Sequence, residues 1–462
     1  MRVDLHPSLS DAALLAKLAG GTLTACGRPR PLRGVTVDSR EVKPGDLFAA
    51  LPGKRAHGRA FIASAVEKGA AAILTDIMPP NVPTDCAVIT VPDAALALLR
   101  WAAYRRSLTK ARVIGVSGSA GKTTTKEGIA CLCRTVGGVA ATAGNYNSTV
   151  GMPLSVLSFD ETDYWVAEIG VNHPGEMAPM AAALAPDLAV LTNVGSAHIG
   201  HFKDRTELIV EKAALTCGMR ESGVLIVPSD LVPSLPPVPP HIVTCGAEGD
   251  FVPSRAVHDK KGVTLTVSGM GRTLEGLFWP VPGRVGVAQV LRLTAIGVLL
   301  GLSDVNIRTG IAAAGQNTPR LRRYAVGKRI LIDDAYNASP ESTAAAVETL
   351  HYVAGAHPAV AVLGDMLELG DSASALHDAI GEVAARAGLA TIFCCGQYAD
   401  ATAAGARRAG FPKERIFCTE SVDAAALADA LIKNTPRDAV ILFKASHAVG
   451  LGDVVATLRG GG

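Results

Sequence analysis

The stretch "VIGVSGSAGKTTTKEGIA", residues 113–130, decides the fold of this chain. An apolar run leads into Gly118-Ser119-Ala120-Gly121-Lys122-Thr123, and a helical pattern follows. A strand, a glycine turn and a helix N-terminus form an anion cradle, because backbone N–H groups and the positive end of the helix dipole point at one place. The full phosphate-loop pattern requires glycine at position 116, where this chain has Val116. The motif is therefore the shorter G-x-x-G-K-T core.

Two side chains of this loop carry its chemistry. Lys122 is placed to reach the β- and γ-phosphates of a nucleotide, and Thr123 to offer its hydroxyl to Mg²⁺. The alternative is a glycine-containing strand–helix turn with an exposed lysine, and the motif's position between a strand and a helix argues against it. The loop alone indicates ATP or GTP. The residues that we expect to hold the nucleotide are Gly118, Ser119, Ala120, Gly121, Lys122, Thr123 and Thr124.

Composition excludes several classes of protein. A length of 462 residues favours about three domains. A net charge of +2 gives no general electrostatic reason to expect a nucleic-acid partner. The N-terminus lacks a cationic segment followed by an apolar one. The most apolar stretch, "VLRLTAIGVLLGL", is interrupted by Arg292 and is shorter than the ~20 residues of a bilayer span. We expect a soluble, cytoplasmic protein.

The nine cysteines have no scaffold-like spacing. A zinc site is one interpretation, and buried thiols in a reducing compartment are the other. The spacings favour the thiols.

The chain divides into three blocks, 1–108, 109–317 and 318–462, and apolar runs alternate with helical stretches in each. This alternation predicts parallel sheets with helices on both faces. The tract "PSDLVPSLPPVPP" (228–240) predicts a loop, and "GVTLTVSGMGRTLEGLFWPVPG" after it predicts a β-rich excursion. We therefore expect an α/β protein of three domains. They are a small N-terminal α/β domain, a central P-loop mononucleotide-binding domain with a parallel sheet, and a C-terminal Rossmann-like domain.

Three further residues are candidates for metal chemistry. Glu168 closes the predicted strand of "YWVAEIGV", and His198 follows the strand of "LAVLTNVGSAHIGHF". Ligands of open α/β sheets bind at the carboxyl ends of strands, and Mg²⁺ on a nucleotide takes additional carboxylates. The plain alternatives are a solvated carboxylate and a structural histidine. Lys212, fourteen residues after His198, is by default part of a solvated helix face.

Five motifs in order make the chain resemble the Mur ligases, the cytoplasmic ATP-dependent amide-forming enzymes of peptidoglycan synthesis. The resemblance covers essentially the whole chain and is closest to the member that adds D-alanyl-D-alanine. "VDSREVKPGDLFAALPG" (37–53) also resembles the family's N-terminal uridine-nucleotide-binding domain. The five motifs are "GNYNSTVGMPL" (144–154), "EIGVNHPGEM" (168–177), "TNVGSAHIGHF" (192–202), "IDDAYNASPES" (332–342) and "VLGDMLELG" (362–370).

The resemblance implies roles for the matching residues. It assigns Glu168 and His198 to metals, and Lys212 to the position of the lysine that the family carbamylates. It assigns Asp334 to the ribose of ATP. The UDP part of the acceptor falls to Ser39 and Arg40, its sugar–peptide region to Asn145 and Asn147, and the C-terminal side of the cleft to Asn337, Lys444 and Ser446.

The implied reaction joins D-alanyl-D-alanine to UDP-N-acetylmuramoyl-tripeptide. The acceptor carboxylate attacks the γ-phosphate of ATP, and the dipeptide amine then displaces phosphate from the acyl phosphate. Mg²⁺, in two ions, and Lys122 offset the repulsion between the two anions. The resemblance implies a monomer with small-molecule substrates and no nucleic-acid partner.

Some positions depart from the family pattern. They put the adenine contacts and dipeptide recognition in question, while the phosphate and metal residues match. On the adenine side they are Val285, Gly286 and Gln289. In the segment "NTPRLRRYAV" the expected Gly-Arg pair is missing, so three arginines are candidates for contact with phosphate: Arg320, Arg322 and Arg323. In "KASHAVG" (444–450) they are Ala445 and His447.

Two other functions compete with this one. The first is another superfamily member, a diaminopimelate- or lysine-adding Mur ligase or a folylpolyglutamate synthase, and the "DSR" segment disfavours the folate enzyme. The second is a nucleotide-binding scaffold that has lost ligation. Retention of the metal-placing residues weighs against the scaffold, because a binding module does not need them.

Overall fold

Three β-sheets organise the protein. The structure is a computed structural model that describes residues 1–24, 30–53, 56–80, 86–238, 241–318 and 320–460. The strands of the three sheets follow one another along the chain without mixing. The α/β fold class with three such units is therefore confirmed.

The first sheet has six strands, and its inner pairs are parallel. The strands are β1 (Arg2–Asp4), β2 (Thr22–Thr24), β3 (Gly34–Thr36), β4 (Asp46–Ala49), β5 (Ala72–Thr75) and β6 (Ala87–Thr90). Their order is β1-β3-β4-β5-β6-β2, with β1 and β2 antiparallel at the two edges. The helices are α1 (Ala12–Ala19), α2 (Ile62–Glu67) and α3 (Ala94–Leu108).

The second sheet has nine strands. They are β7 (Arg112–Ser117), β8 (Val139–Ala141), β9 (Tyr164–Glu168), β10 (Leu188–Leu191), β11 (Val224–Pro228), β12 (Ile242–Cys245), β13 (Phe251–His258), β14 (Val263–Gly269) and β15 (Arg272–Trp279). The order is β15-β14-β13-β12-β11-β10-β7-β9-β8, and only the pairs β13–β14 and β14–β15 are antiparallel. The helices are α4 (Lys122–Cys133), α5 (Gly151–Ser158), α6 (Met177–Leu184), α7 (Arg205–Ala213), α8 (Arg284–Leu299) and α9 (Asp304–Gln316).

The register of this sheet positions the site. β7 lies between β9 and β10, and Val116 pairs with Glu168 while Ser117 pairs with Leu191. All three strands are parallel, so their carboxyl ends lie side by side. The loop after β7, the side chain of Glu168 and the loop after β10 therefore meet at one edge, as open α/β sheets require of a ligand site.

The third sheet has six strands in the order β16-β17-β21-β18-β19-β20, and only β16–β17 is antiparallel. The strands are β16 (Arg322–Val326), β17 (Arg329–Asp334), β18 (Ala359–Leu363), β19 (Thr391–Cys395), β20 (Ile416–Thr419) and β21 (Val440–Lys444). Five helices follow: α10 (Pro340–Ala354), α11 (Ala373–Arg386), α12 (Ala399–Arg408), α13 (Ala424–Asn434) and α14 (Leu451–Gly460).

Apolar packing joins the sheets to one another. The largest core cluster runs from Val116 and Leu293 of the second unit to Val347 and Leu350 of α10. The core of the first sheet instead packs against Leu154 and Leu157 of α5. Burial of such apolar side chains stabilises these junctions at about 25 cal/mol per Å².

The predicted β-rich excursion is confirmed by β13–β15, which extend the parallel sheet with an antiparallel meander. The proline-rich tract was predicted to be a plain loop, and this is wrong in part. Ser229–Ser234 form a 3₁₀ helix that carries Pro233, while residues 239–240 of the tract lie outside the described residues. None of the helices in the described ranges combines the length and apolarity that crossing a bilayer requires.

Candidate active site

The loop after β7 is built by two glycines with positive φ. Gly118 has φ 141° and Gly121 has φ 80°, where residues with a Cβ are strained. A Cβ at Gly118 would lie 2.0 Å from Oγ1 of Thr192, so the loop can approach the end of β10 only with glycine at this position. Lys122 opens α4, and its Nζ donates to the carbonyl of Gly118 at 2.8 Å. The lysine thus folds back over the loop, as a phosphate-binding lysine does.

The free N–H groups of the loop lie at its helical end. The N–H of Ser119 donates to the carbonyl of Asn193 at 3.0 Å, and that of Ala120 to Oδ1 of Asn193 at 2.9 Å. The N–H of Thr125 makes the first bond of the helix, to Gly121 at 2.9 Å. The N–H groups of residues 122–124 thus open the helix without helical acceptors, at the positive end of the dipole. These three N–H groups are therefore available to an anion.

Glu168 is buried at the end of β9, with 1% of its surface exposed. Its Oε1 accepts a 2.6 Å hydrogen bond from Nδ2 of Asn147. Its Oε2 is buried and has no hydrogen-bond partner in the described part of the chain. A buried carboxylate oxygen without a partner is costly, and a cation would satisfy it. The structure therefore brings a predicted metal ligand and a predicted acceptor-binding residue into direct contact.

Lys212 is buried on α7 and is not on a solvated face, so the plain interpretation of this residue is wrong. Its side chain makes no hydrogen bond or ion pair with any residue that the structure describes. The carboxylate of the neighbouring Glu211 accepts from the N–H groups of Gly175 and Met177 at 2.8 and 2.6 Å, and its charge only partly offsets the effect of burial on Lys212. Burial, with a smaller contribution from the charge of Lys122, lowers the pKa of Lys212 to about 7.

His198 lies just beyond β10 with φ 65°, and its Nδ1 is hydrogen-bonded to a carboxylate oxygen of Glu368, from the loop after β18. Burial lowers the pKa of His198, and the charges of Lys122 and Lys212 lower it further. Burial also lowers the pKa of Lys122, and the negative charge of Glu168 partly opposes this effect. These couplings show that the four predicted residues share one site.

Oxygen and nitrogen ligands from the chain alone do not complete a metal centre. No group of three or more His, Cys, Asp or Glu suited to a metal exists in the ranges that the structure describes. Glu168 and His198 would supply two ligands, and Thr123 would add a hydroxyl. A carbamate on Lys212 would add a further anionic oxygen donor, the kind that Mg²⁺ prefers. No disulfide joins cysteines within the described ranges either.

The strand ends of the third sheet carry four further residues that the family resemblance assigns to the site. Asp334 and Lys444 are register partners on β17 and β21, and they form a 2.8 Å ion pair. Nζ of Lys444 also donates to the carbonyl of Asn337, and Oγ of Ser446 accepts from the N–H of Leu367 at 3.0 Å. Asp334, Asn337 and Lys444, all predicted from the family resemblance, therefore form one bonded group at the strand ends. Ser446, the fourth predicted residue, lies two positions after Lys444 and is bonded to Leu367 instead.

The structure separates the three competing arginines. The guanidinium of Arg320 lies over the ring of Tyr336 at 3.8 Å, and its charge helps to lower the pKa of Lys122. Arg323 points elsewhere, because it donates to the carbonyls of Lys260 and Pro280 at 2.6 and 2.8 Å. Arg322 is exposed on β16. Of the three, Arg320 is therefore the arginine whose charge acts on Lys122 of the phosphate loop.

Sequence reasoning did not find the support behind the loop. Gln289 is buried, and its Oε1 accepts from Oγ1 of Thr125 at 2.9 Å. Arg292 donates to Oε1 of Gln289 at 3.2 Å and to the carbonyl of Thr192 at 3.3 Å, and its buried Nε has no partner in the described residues. Arg292 looked like a mere interruption of an apolar stretch. Only its place on the buried face of α8 could have indicated more.

Ser39 and Arg40 lie apart from this cluster, in the loop after β3. The carbonyl of Ser39 accepts from Nζ of Lys68 at 3.0 Å, and the guanidinium of Arg40 pairs with the carboxylate of Asp38 at 2.6 Å. Within the described ranges no hydrogen bond or ion pair links either residue to the phosphate loop. Asn145, in the loop before α5, is exposed.

The chain was compared with known families and structures. Three family models match it: "Mur ligase family, catalytic domain" over residues 31–104, "Mur ligase middle domain" over 116–292, and "Mur ligase, glutamate ligase domain" over 320–447. The UDP-N-acetylmuramoyl-tripeptide–D-alanyl-D-alanine ligase of Bacillus subtilis is 34% identical over 438 residues, which covers 92% of this chain and 93% of that protein.

Two solved structures are similar throughout. MurF from Acinetobacter baumannii superposes with a TM-score of 0.88 at 27% identity, over 99% of this chain and all of that one. MurF ligase from Thermotoga maritima in complex with ADP gives a TM-score of 0.79 at 26% identity, over 92% and 97% of the two chains.

Proposed function

Because this chain belongs to the Mur ligase family, we propose that it joins D-alanyl-D-alanine to UDP-N-acetylmuramoyl-tripeptide in an ATP-dependent reaction. The family relationship supplies the reaction class, and a relative of that name matches nearly the whole chain. The observation that carries the proposal is the cluster of Lys122, Glu168, His198 and Lys212 beside the phosphate loop. A simple nucleotide-binding scaffold has no use for such a cluster.

The nucleotide is bound by the loop of residues 118–124. The free N–H groups at the start of α4 face the phosphates, with Lys122 over them. The ADP complex of the Thermotoga relative supports this assignment. Asp334 accepts from the ribose hydroxyls in this proposal, since a carboxylate at a strand end of a Rossmann-like sheet suits them. Lys444 holds that carboxylate in place.

Mg²⁺ is assigned to Thr123, Glu168, His198 and Lys212 as its carbamate. The unpartnered oxygen of Glu168 supports the assignment, because a buried anion without a donor fits a cation. A neutral Lys212 amine can add CO₂ with loss of one proton, which turns a cation into an anionic oxygen donor. When bound, the metal offsets the negative charge that develops on the phosphoryl oxygens.

The proposed reaction then has two displacement steps. The carboxylate of the tripeptide attacks the γ-phosphorus and ADP leaves, which gives an acyl phosphate. The amine of the dipeptide attacks the acyl carbon, loses a proton and expels phosphate, which forms the amide. Lys122 and Arg320 balance the charge of the first step, because the site brings two anions together.

The acceptor is assigned to the first two units. We place its UDP end on Ser39 and Arg40 and its sugar–peptide region on Asn145 and Asn147. The hydrogen bond from Asn147 to Glu168 would hold that region next to the metal ligands. The dipeptide falls to Asn337, Lys444 and Ser446, which lie together at the strand ends of the third sheet.

We further propose domain limits of 1–108, 109–317 and 318–462. The strands of each sheet fall within one of these ranges. The first limit lies between α3 and β7, and the second between α9 and β16. A monomer in the cytoplasm, where ATP and nucleotide-linked precursors are available, completes the proposal.

A product assay tests the function. The protein is incubated with Mg-ATP, UDP-N-acetylmuramoyl-tripeptide and D-alanyl-D-alanine, and the mass of the nucleotide-linked product is followed. Parallel reactions offer diaminopimelate or lysine together with UDP-N-acetylmuramoyl-dipeptide, the shorter acceptor to which such an amino acid would be added. We expect product only with the D-alanyl-D-alanine pair. Product with one of the amino acids would make the chain a different Mur ligase, and no product in any reaction would favour the scaffold.

A further inference from the structure

We propose that Glu368 is a positioning residue that orients the imidazole of His198 toward the metal only when the loop after β18 meets the loop after β10. The proposal rests on the metal role given to His198 under the proposed function. Glu368 lies in the motif "VLGDMLELG" (362–370), but the family resemblance was not used to give this residue a role. Three independent features of the contact carry the inference.

The first feature is that Glu368 makes two separate hydrogen bonds to the loop after β10, one from its side chain and one from its backbone. The carboxylate of Glu368 meets Nδ1 of His198, and its backbone carbonyl accepts from the N–H of Gly200 at 3.1 Å. A surface ion pair formed by chance would involve the side chain alone. Here both the side chain and the backbone are engaged, so the position of the carboxylate relative to the ring is fixed.

The second feature is the choice of nitrogen. A carboxylate on Nδ1 keeps the proton on that atom and leaves the lone pair of Nε2 for a metal. Histidines that ligate metals almost always donate their other N–H to a carboxylate or carbonyl, which fixes the tautomer and the orientation of the ring. Glu368 therefore supplies His198 with the partner that a metal-bound histidine needs, and supplies it from the third sheet.

The third feature is the backbone at the contact. His198 and Glu368 both have positive φ, 65° and 63°, although neither is glycine. Side chains with a Cβ adopt this region at a cost, and the surrounding contacts must hold them there. Such conformations gather at functional sites. Two of them facing each other across one contact indicate a built junction.

The fit of the two loops also requires glycine. A Cβ on Gly200 would lie 2.5 Å from the backbone nitrogen of Gly370. The loops therefore touch backbone to backbone. A second pair of bonds anchors the same loop, because the N–H and Oγ of Ser196 donate to one carboxylate oxygen of Glu341 at 2.9 and 2.8 Å. The orientation of His198 is thus tied to the docking of the third unit against the second.

The consequence is that closure completes the metal site. With the two units apart, His198 loses its carboxylate partner and its ring is free to rotate. With them docked, Nε2 is held ready. Phosphoryl transfer would then be confined to the closed enzyme, in which water is excluded from the acyl phosphate.

Binding of Mn²⁺ tests the proposal without relying on turnover. Mn²⁺ affinity is measured by electron paramagnetic resonance on the full chain with saturating ADP. Glu368→Ala should weaken Mn²⁺ binding about 10-fold or more, as loss of such a partner typically does. Glu368→Gln should retain part of the affinity, because its amide oxygen can still accept from Nδ1. His198→Ala gives the loss expected when the ligand itself is removed.

Two glycine variants separate the effect of docking between the two loops from the effect of the Glu368 carboxylate. Gly200→Ala leaves His198 and Glu368 intact but forces the loops apart, so it should weaken Mn²⁺ binding as well. Gly452→Ala is the control, since a Cβ there meets nothing within 4 Å, and it should bind Mn²⁺ normally. Circular dichroism verifies that each variant is folded.

Several results would overturn the proposal. Unchanged Mn²⁺ affinity in folded Glu368→Ala contradicts the positioning role, and unchanged affinity in Gly200→Ala contradicts its dependence on docking. Unchanged affinity in His198→Ala removes the metal role of the histidine and the proposal with it. The product assay on the unsubstituted chain decides the ligase function separately, so the two failures can be told apart.

Discussion

At the scale of single residues, the metal chemistry depends most on Lys212. An ammonium group has only donors and a like charge, so it cannot ligate Mg²⁺. Its burial without any acidic partner favours the neutral amine from which a carbamate forms. Lys212→Ala should therefore lower the ligation rate about 100-fold or more, in line with a loss of several kcal/mol of charge stabilisation.

Rescue and a matched control make this prediction specific. A small carboxylate such as formate should restore part of the activity of Lys212→Ala by filling the vacant ligand position. Lys433→Ala removes an exposed lysine from α13 and should change nothing. Normal turnover of Lys212→Ala in CO₂-depleted buffer would return Lys212 to a structural role.

The burial of Lys212 also predicts how stability depends on pH. Its pKa is about 7 in the folded protein, well below the value of 10.5 for a free lysine side chain. Between these values the unfolded chain binds more protons, so the free energy of unfolding should rise with pH from about 7 toward 10. Lys212→Met should abolish that part of the rise and be more stable at pH 7. Chemical denaturation of both proteins in CO₂-depleted buffer, compared at pH 7 and 9.5, measures it, and parallel curves would contradict the assignment.

Arg292 is a buried cation that has no carboxylate partner among the residues that the structure describes, and it lies behind the phosphate loop. A nucleotide's phosphates would compensate its charge, which the low dielectric of the interior leaves poorly screened. Arg292→Met should therefore weaken ADP binding about tenfold. It should leave the unfolding midpoint of the nucleotide-free protein unchanged or higher, because replacing buried charge with apolar volume is often neutral or stabilising.

Isothermal titration with ADP and thermal unfolding without it check this pair of effects. Arg105→Met is the control, because Arg105 on α3 is also buried, and its Nε and Nη1 have no hydrogen-bond partner among the described residues. Its Nη2 instead donates to the carbonyl of Phe159 and pairs with Glu161. Its ADP affinity should be unchanged. A loss of stability in Arg292→Met with no change in ADP affinity would show a purely structural role.

Among the helices, α8 packs closely at Gly286, one of the positions that depart from the family pattern. A Cβ there would lie 1.9 Å from the carbonyl oxygen of Val281, so the helix packs too closely for a side chain. Gly286→Ala should lower the free energy of unfolding by about 1–3 kcal/mol, the usual cost of overpacking. Urea denaturation measures it, with Gly452→Ala as the matched open position. Equal stability of the two variants would show that α8 can shift to make room.

The elements that were predicted are those with strong local signals. β7 and α4 follow from the glycine loop, and β9 and β10 from apolar runs that end in polar residues. β1, β2 and β8 show no such local signal, because they have three residues each. A three-residue strand has too few residues to show a period, and its pairing is decided by tertiary contacts.

The site was predictable in its parts and not in its contacts. Lys122, Glu168, His198 and Lys212 follow from motifs and family resemblance, and the structure brings them together. The link between His198 and Glu368 joins residues 170 positions apart, and no periodicity reports such a contact. The burial of Lys212 likewise depends on how α7 packs, which its mixed sequence does not reveal.

At the scale of the whole molecule, the reaction requires three substrates to meet. The acceptor, ATP and the dipeptide are assigned to different units, and the proposed metal site lies where the second and third units touch. The bonds of Ser196 to Glu341 and of Gly200 to Glu368 hold those two units in contact. The fold therefore places chemistry at a junction, where docking can control it.

Transfer of oxygen from the acceptor tests the central claim most directly. If the tripeptide carboxylate attacks the γ-phosphorus, one of its oxygens must leave with the phosphate. The acceptor is labelled with ¹⁸O in that carboxylate and incubated with Mg-ATP and D-alanyl-D-alanine, and the mass of the released phosphate is measured. We predict one ¹⁸O in each phosphate, formed in step with the amide product and not formed without acceptor. Unlabelled phosphate, or ADP release with the dipeptide alone, would contradict the acyl-phosphate reaction for this chain.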